Sequence, residues 1–323
     1  MMLDVRKVAT RLKSALLADP ERFYTNETGA WVAGMPAPQD IRVTTGREPY
    51  WINLGYWRDV ERVDDTNVER VGELFREAQT QMAHLLAKTA RLGPGDSVLD
   101  CGFGYADQDL LWAEAYKPAR IVGVNITPNQ VRVGRERVRL TGLEGVVRLE
   151  LGSATALPGQ AGEFDIVFAL ESAMHFRTRR DFLREAFRVL KPGGRLVMAD
   201  MCQKTDRESG AGLRERLRYR YWRGLIAFPE ENVWTTGRYL SELREAGFQH
   251  ARLESIAEDV YPAVNTALVA LRGMTALERQ PGSTSVHQVR ADVHRAMRMR
   301  SDQTQWHTLF NCDEYAVVSA VKP

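Results

Sequence analysis

Val98-Leu99-Asp100-Cys101-Gly102-Phe103-Gly104-Tyr105-Ala106 is the stretch whose reading decides the fold. Ser97–Leu99 is a short apolar run that reads as a buried strand. Two glycines follow, and Asp107–Tyr116 is helix-compatible. A glycine-rich turn between a strand and a helix belongs to a nucleotide-binding α/β unit, where the missing Cβ lets the backbone approach a ligand. Asp100 narrows the ligand. A carboxylate at the strand end repels the pyrophosphate that such a turn and helix N-terminus hold in a dinucleotide site. It attracts a cation, and S-adenosylmethionine carries an ammonium, a sulfonium and no phosphate. An ordinary α/β turn with a capping Asp is the other reading of so short a pattern.

Outward from this turn, strands and helices alternate, the signature of a parallel sheet with helices on its faces. Upstream, Thr66-Asn67-Val68-Glu69 has capping-box spacing and opens a helix with an apolar stripe from Val68 to Leu86. Downstream, the expected strands are 120–126, 146–151, 164–170, 195–199, 251–257 and a C-terminal 315–321. Thr127-Pro128-Asn129-Gln130 has an N-cap Thr, Pro at the first helical position and Gln three after the cap. Thr178–Leu190 and Thr235–Ala246 are further helices. Residues 262–306 look helical and irregular, and 208–223 is helix-compatible and dense in arginine. Met2–Leu17 has an amphipathic pattern, suited to packing on its own domain or lying on a membrane surface.

The 323 residues are 44% hydrophobic and 27% charged, with a net charge of +2. That suits one large domain or a core with a cap, and gives no overall field for nucleic acid. Cys101, Cys202 and Cys312 form no metal or CxxC spacing, so neither disulfide nor zinc is expected. No apolar stretch approaches a bilayer span and no signal peptide is evident, so a cytoplasmic protein is expected.

VLDCGFG at 98–104, GSATALP at 152–158, FDIVFALESAMHF at 164–176 and VLKPGGRLVMAD at 189–200 together resemble the class I S-adenosylmethionine-dependent methyltransferases. INLGYW at 52–57, NITPNQV at 125–131 and DFLREAFRVLKPGG at 181–194 are similar to the erythromycin O-methyltransferases and related antibiotic methyltransferases. The resemblance implies a Rossmann-like α/β fold with a seven-stranded, mostly parallel sheet and an antiparallel last strand. It implies an N-terminal cap at 1–65, and a core at 66–323 with helical, substrate-side insertions near 201–234 and 262–306. It also implies S-adenosylmethionine as cofactor and S-adenosylhomocysteine as product.

The resemblance assigns roles residue by residue. Asp100 meets the methionine ammonium, and Gly102 and Gly104 admit the methionyl part. Asn125 and Ile126 end the second strand, where the family usually has an acid for the ribose. Asn lacks the charge-assisted bond, and Gln130 in the next helix turn is a second ribose candidate, as in a cyclopropane-synthase variant of the pattern. Ala106 replaces the third loop glycine, a change that a helix start is expected to tolerate. Ser153 and Ala154 flank the adenine, although Ser also favours turns for itself. Glu171 ends the fourth strand near the cofactor or is a solvated loop acid. Asn53, Tyr56 and Trp57 form a lid or simply pin the cap to the core.

His175 follows the fourth strand, where α/β ligands bind. An imidazole with an unperturbed pKa of about 6.5 suits removal of an alcohol proton. A structural histidine is the alternative. Tyr221 and Trp222, interleaved with Arg214, Arg216, Arg218, Arg220 and Arg223, are candidate acceptor contacts; a solvated helix face is the simpler reading. Asp200 lacks companions for a metal site. The expected activity is methyl transfer to a hydroxyl of a small natural product such as a polyketide, a macrolide or its sugar. N- or C-methylation is the alternative, and an NAD-linked oxidoreductase is disfavoured by Asp100. The partner is a small-molecule acceptor, with no nucleic acid and no membrane; a homo-oligomer is compatible with the same features.

Overall fold

In the computed structural model, the described residues are 41–204, 228–279, 285–301 and 313–323. The amphipathic segment 2–17, the arginine-rich segment 208–223 with Tyr221 and Trp222, and Cys312 lie outside them.

Seven strands form one sheet: β1 (Ser97–Cys101), β2 (Arg120–Asn125), β3 (Val147–Leu151), β4 (Phe164–Leu170), β5 (Leu190–Gln203), β6 (Gln249–Ser255) and β7 (Asp313–Val321). Their order is β3-β2-β1-β4-β5-β7-β6. The pairs among β1 to β5 are parallel, and β7 runs antiparallel to both β5 and β6. The central strands are apolar runs because both their faces are covered. Ile166, Val167 and Phe168 of β4 are fully buried.

The helices are α1 (Val71–Ala90), α2 (Asp107–Ala115), α3 (Pro128–Thr141), α4 (Arg179–Val189), α5 (Thr236–Glu245), α6 (Ala257–Arg279) and α7 (Val286–Ser301). On one face, α1 and the Trp112 ring of α2 pack over Val98, Ile166 and Phe168. On the other, α4 and α5 bury Phe182, Leu183, Tyr239 and Leu243 against Leu99, Val167 and Met198.

Two expected capping boxes are not formed. Asn67 accepts from the amide of Asp64, and a 3-10 turn at Val68–Arg70 precedes α1. Thr127 is the N-cap of α3 but its hydroxyl bonds no helix amide, and the reciprocal bond is also missing: the Thr127 amide donates to Asn125, which also takes up Gln130. Thr178 and Thr235 do cap, accepting from the amides of Asp181 and Arg238. The fifth strand is longer than expected. Lys191-Pro192-Gly193-Gly194 reads as a turn, yet Gly193 and Gly194 exchange backbone hydrogen bonds with Lys322 beyond β7.

Candidate active site

Because β1 to β5 are parallel, their carboxyl ends share one edge of the sheet, and Asp100, Asn125, Ser153, Glu171 and His175 gather there. Gly102 sets the geometry. Its φ is +87°, and a Cβ there would lie 2.4 Å from the Cβ of Ser172. The Ser172 hydroxyl in turn donates to the carbonyl of Cys101. The loops after β1 and β4 are thus pressed together, and only glycine fits. Phe103 fills the adjoining gap, its ring within 3.3 Å of where Cβ atoms on Gly123 and Gly134 would stand. Ala106 has φ +71°. The alanine in place of the third loop glycine thus carries a backbone cost of about 1 kcal/mol.

Asp100 is fully buried. One carboxylate oxygen accepts from the Gln108 amide at 2.9 Å, and the other has no hydrogen-bond partner. Burial pushes this carboxyl up to about 7, against the opposing bond from Gln108. Asp109 is equally buried with both oxygens unpartnered, and burial and then the charge of Asp100 push it well up. Asp107 differs. Arg137 meets both its oxygens at 2.9 Å and also donates to the carbonyls of Tyr105, Gly46 and Glu48. The Tyr50 amide donates to Asp107 as well, so this ion pair straps residues 46–50 onto the glycine turn.

At the end of β2, the Asn125 amide donates to Gln130 Oε1 at 2.8 Å, and its oxygen accepts from the Thr127 amide. Tyr105 completes the group through a hydrogen bond to Gln130, and burial raises its phenol to about 12. Ile126 stands next to them, 38% exposed. Past β3, the Ser153 hydroxyl accepts from the amide of Thr155 in a local turn, and Ala154 is buried.

Glu171 follows β4 in the left-handed region, φ +49°. Its Oε1 accepts from the Leu54 amide at 2.7 Å and from the hydroxyl of Tyr315 in β7. Burial pushes the carboxyl up to about 7, with both bonds opposing. The residue is an anchor for the 52–57 loop rather than a solvated acid. Within that loop, Asn53 donates to the Gln79 carbonyl and accepts from the Gly55 amide. Tyr56 is buried with Arg58 over its ring. Trp57, a lid aromatic on one reading and a packing anchor on the other, is fully buried; its indole donates to the Leu54 carbonyl and its ring packs edge-on to Phe75. It pins the 52–57 loop to α1.

His175 is buried at the end of a 3-10 turn, Ala173–His175, and its amide donates to the Ser172 carbonyl. Asp200 in β5 is committed to Arg179 at 2.9 Å and to the Tyr239 hydroxyl at 2.7 Å.

Residues 99–198 match the methyltransferase domain family. Over 222 residues the chain is 40% identical to erythromycin 3''-O-methyltransferase of Saccharopolyspora erythraea, covering 68% of each. It is 31% identical to 27-O-demethylrifamycin SV methyltransferase of Amycolatopsis mediterranei, over 69% of this chain and 75% of that one. The chain belongs to the class I S-adenosylmethionine-dependent methyltransferases. S-adenosylmethionine is the methyltransferase's cofactor.

Among solved structures, geranyl diphosphate C-methyltransferase from Streptomyces coelicolor A3(2) shares the fold, with a TM-score of 0.63 over 94% of this chain and 97% of that one at 16% identity. The cyclase SpnF also shares it, with a TM-score of 0.61 over 94% and 93% at 22% identity. One fold thus carries different chemistries, and the reaction must be argued from side chains. In this methyltransferase, no described helix is long and apolar enough to cross a membrane. Gln108, Asp109, Tyr105 and Tyr315 join the candidate site without having been foreseen. Gln108 and Asp109 lie in the first turn of the helix that the glycine turn opens and Tyr105 in the turn itself, so their places were legible although their partners were not.

Proposed function

We propose that the protein transfers the methyl group of S-adenosylmethionine to a hydroxyl oxygen of a small natural product, with His175 as the base. The sulfonium supplies an electrophilic methyl carbon. The observation that carries the cofactor assignment is the unpartnered, buried Oδ1 of Asp100 beside a turn that only glycine can form. An ammonium there would complete the carboxylate. Asn125 and Gln130, held together at 2.8 Å, fit the ribose hydroxyls, and the exposed Ile126 fits the adenine face with Ser153 and Ala154. Glu171 and Asn53 hold the 52–57 loop, from which Tyr56 would meet the acceptor.

The acceptor assignment rests on sequence likeness to two enzymes named as O-methyltransferases of antibiotics. The position of His175 supports it. The residue stands one short turn beyond Ser172, which touches Gly102. As the acceptor oxygen bonds to the methyl carbon and the sulfonium bond breaks, the acceptor proton passes to the imidazole. General-base catalysis of this kind contributes about 10²- to 10⁴-fold.

The test is incubation with labelled S-adenosylmethionine and a panel of macrolides, ansamycins and sugar alcohols, with His175→Ala alongside. O-methylated product, and a fall in kcat of at least a hundredfold for the variant, is expected. Transfer to nitrogen or carbon only, with His175→Ala indifferent, would refute the proposal.

A further inference from the structure

Asn232 is fully buried and lies 57 positions along the chain from His175, yet its side chain is spent on the histidine's turn. Its amide nitrogen donates to the carbonyls of Met174 at 3.1 Å and Phe176 at 2.6 Å, the residues on either side of His175. Its amide oxygen accepts from the backbone N–H of Arg179 at 2.7 Å, the first residue of α4. Its own carbonyl accepts from the Arg179 guanidinium, which is locked by Asp200 and lies against the rings of Phe228, Trp234 and Tyr239.

We infer that Asn232 is a positioning residue that fixes the direction of the His175 side chain. The argument is geometric. The turn has three residues, and its internal bonds are His175 N–H to Ser172 and a long one, 3.3 Å, from Phe176 N–H to Ala173. So short a turn does not hold its peptide planes by itself. The Met174 carbonyl lies in the plane immediately before His175, and the Phe176 carbonyl in the second plane after it. One primary amide fastens both. The oxygen of the same amide fastens the start of α4, so turn and helix share a single reference point. A base must stay within hydrogen-bond reach of the acceptor proton, and a displacement of about 1 Å costs on the order of a hundredfold in rate.

The inference rests on His175 being the base, and a double-mutant cycle separates the two. Asn232→Asp keeps the oxygen that accepts from Arg179 and replaces the donor with an acceptor facing two carbonyls. It is expected to lower kcat about ten- to a hundredfold, leaving KM for S-adenosylmethionine within twofold. In a His175→Ala background it is expected to have no further effect. An equal loss in both backgrounds, or an unchanged kcat, overturns the inference while leaving the role of His175 intact. A His175→Ala enzyme of normal rate overturns both. Should Asn232→Asp fail to fold, Asn232→Ser serves in the same cycle, since its hydroxyl cannot span both carbonyls.

Discussion

Replacing Asp100 by Asn should move stability and cofactor affinity in opposite directions. The carboxyl is fully buried, and its pKa rises from 3.8 to about 7. An acid held above its unfolded value binds its proton more tightly when folded. Its favourable contribution is therefore present in acid and is lost as pH climbs from about 4 to about 7. Three units at about 1.36 kcal/mol each give an upper figure of about 4 kcal/mol against the ionised form at pH 8. Asp100→Asn removes that charge and keeps a side chain that can bond Gln108. The cofactor-free variant should be more stable than the wild type at pH 8 by about 2–4 kcal/mol and equal to it near pH 4. Urea unfolding at both pH values reads this directly. Calorimetry with S-adenosylmethionine at pH 8 should show binding about 10- to 150-fold weaker, the loss of one charge-assisted hydrogen bond of about 1.5–3 kcal/mol. Wild-type affinity should also fall as pH drops below 7. A variant that is less stable than wild type at pH 8, or that binds the cofactor within twofold of it, refutes the reasoning.

Gly102→Ala should cost about 2–5 kcal/mol, from left-handed strain together with the contact on Ser172, and thermal unfolding would show it as a fall of many degrees. Tyr315→Phe removes one of the two donors to Glu171 Oε1, a loss of about 1.5–3 kcal/mol, and should push that carboxyl further up. The 52–57 loop should loosen in consequence; hydrogen exchange of the Leu54 amide faster than in wild type is the expected result, and unchanged protection would contradict it.

The parts of this protein that could be read from sequence are those whose cause is local. Phe164–Leu170 is a near-continuous apolar run, interrupted only by Asp165, and is a strand over the same residues, because a doubly covered strand needs little else to announce itself. Asp100-Cys101-Gly102 likewise carries its turn in its own residue types. What escaped depends on distant partners. The extension of β5 to Gln203 follows from its pairing with β7, and its early start from the pairing of Leu190 with Phe164 and of Gly193 and Gly194 with Lys322, all distant in sequence. Gln130 reads as a capping residue, but Asn125 competes for it and wins. Trp57 reads as a lid aromatic, but only the packing of α1 decides that its ring is covered. The bond from Asn232 to the His175 turn has no spacing signal, since a loop contact across 56 residues imposes no periodicity.

The distribution of buried charge separates scaffold from site. Asp107 is met bidentately by Arg137, and Asp200 by Arg179 together with the Tyr239 hydroxyl; both arginines also satisfy backbone carbonyls of neighbouring segments. Removing either arginine would strand a buried carboxylate, at about 3–5 kcal/mol, so these pairs hold residues 46–50 and the 228–235 segment in place. Asp100 and Asp109 receive no such compensation: between them three of four oxygens are unpartnered. A fold able to neutralise two of its buried aspartates so completely has not done so for the two beneath the glycine turn. Such an arrangement favours a cationic ligand at Asp100 and none at Asp200, although both acids stand on the same edge of the sheet. Binding energy at Asp100 is then drawn from a cost already built into the folded chain.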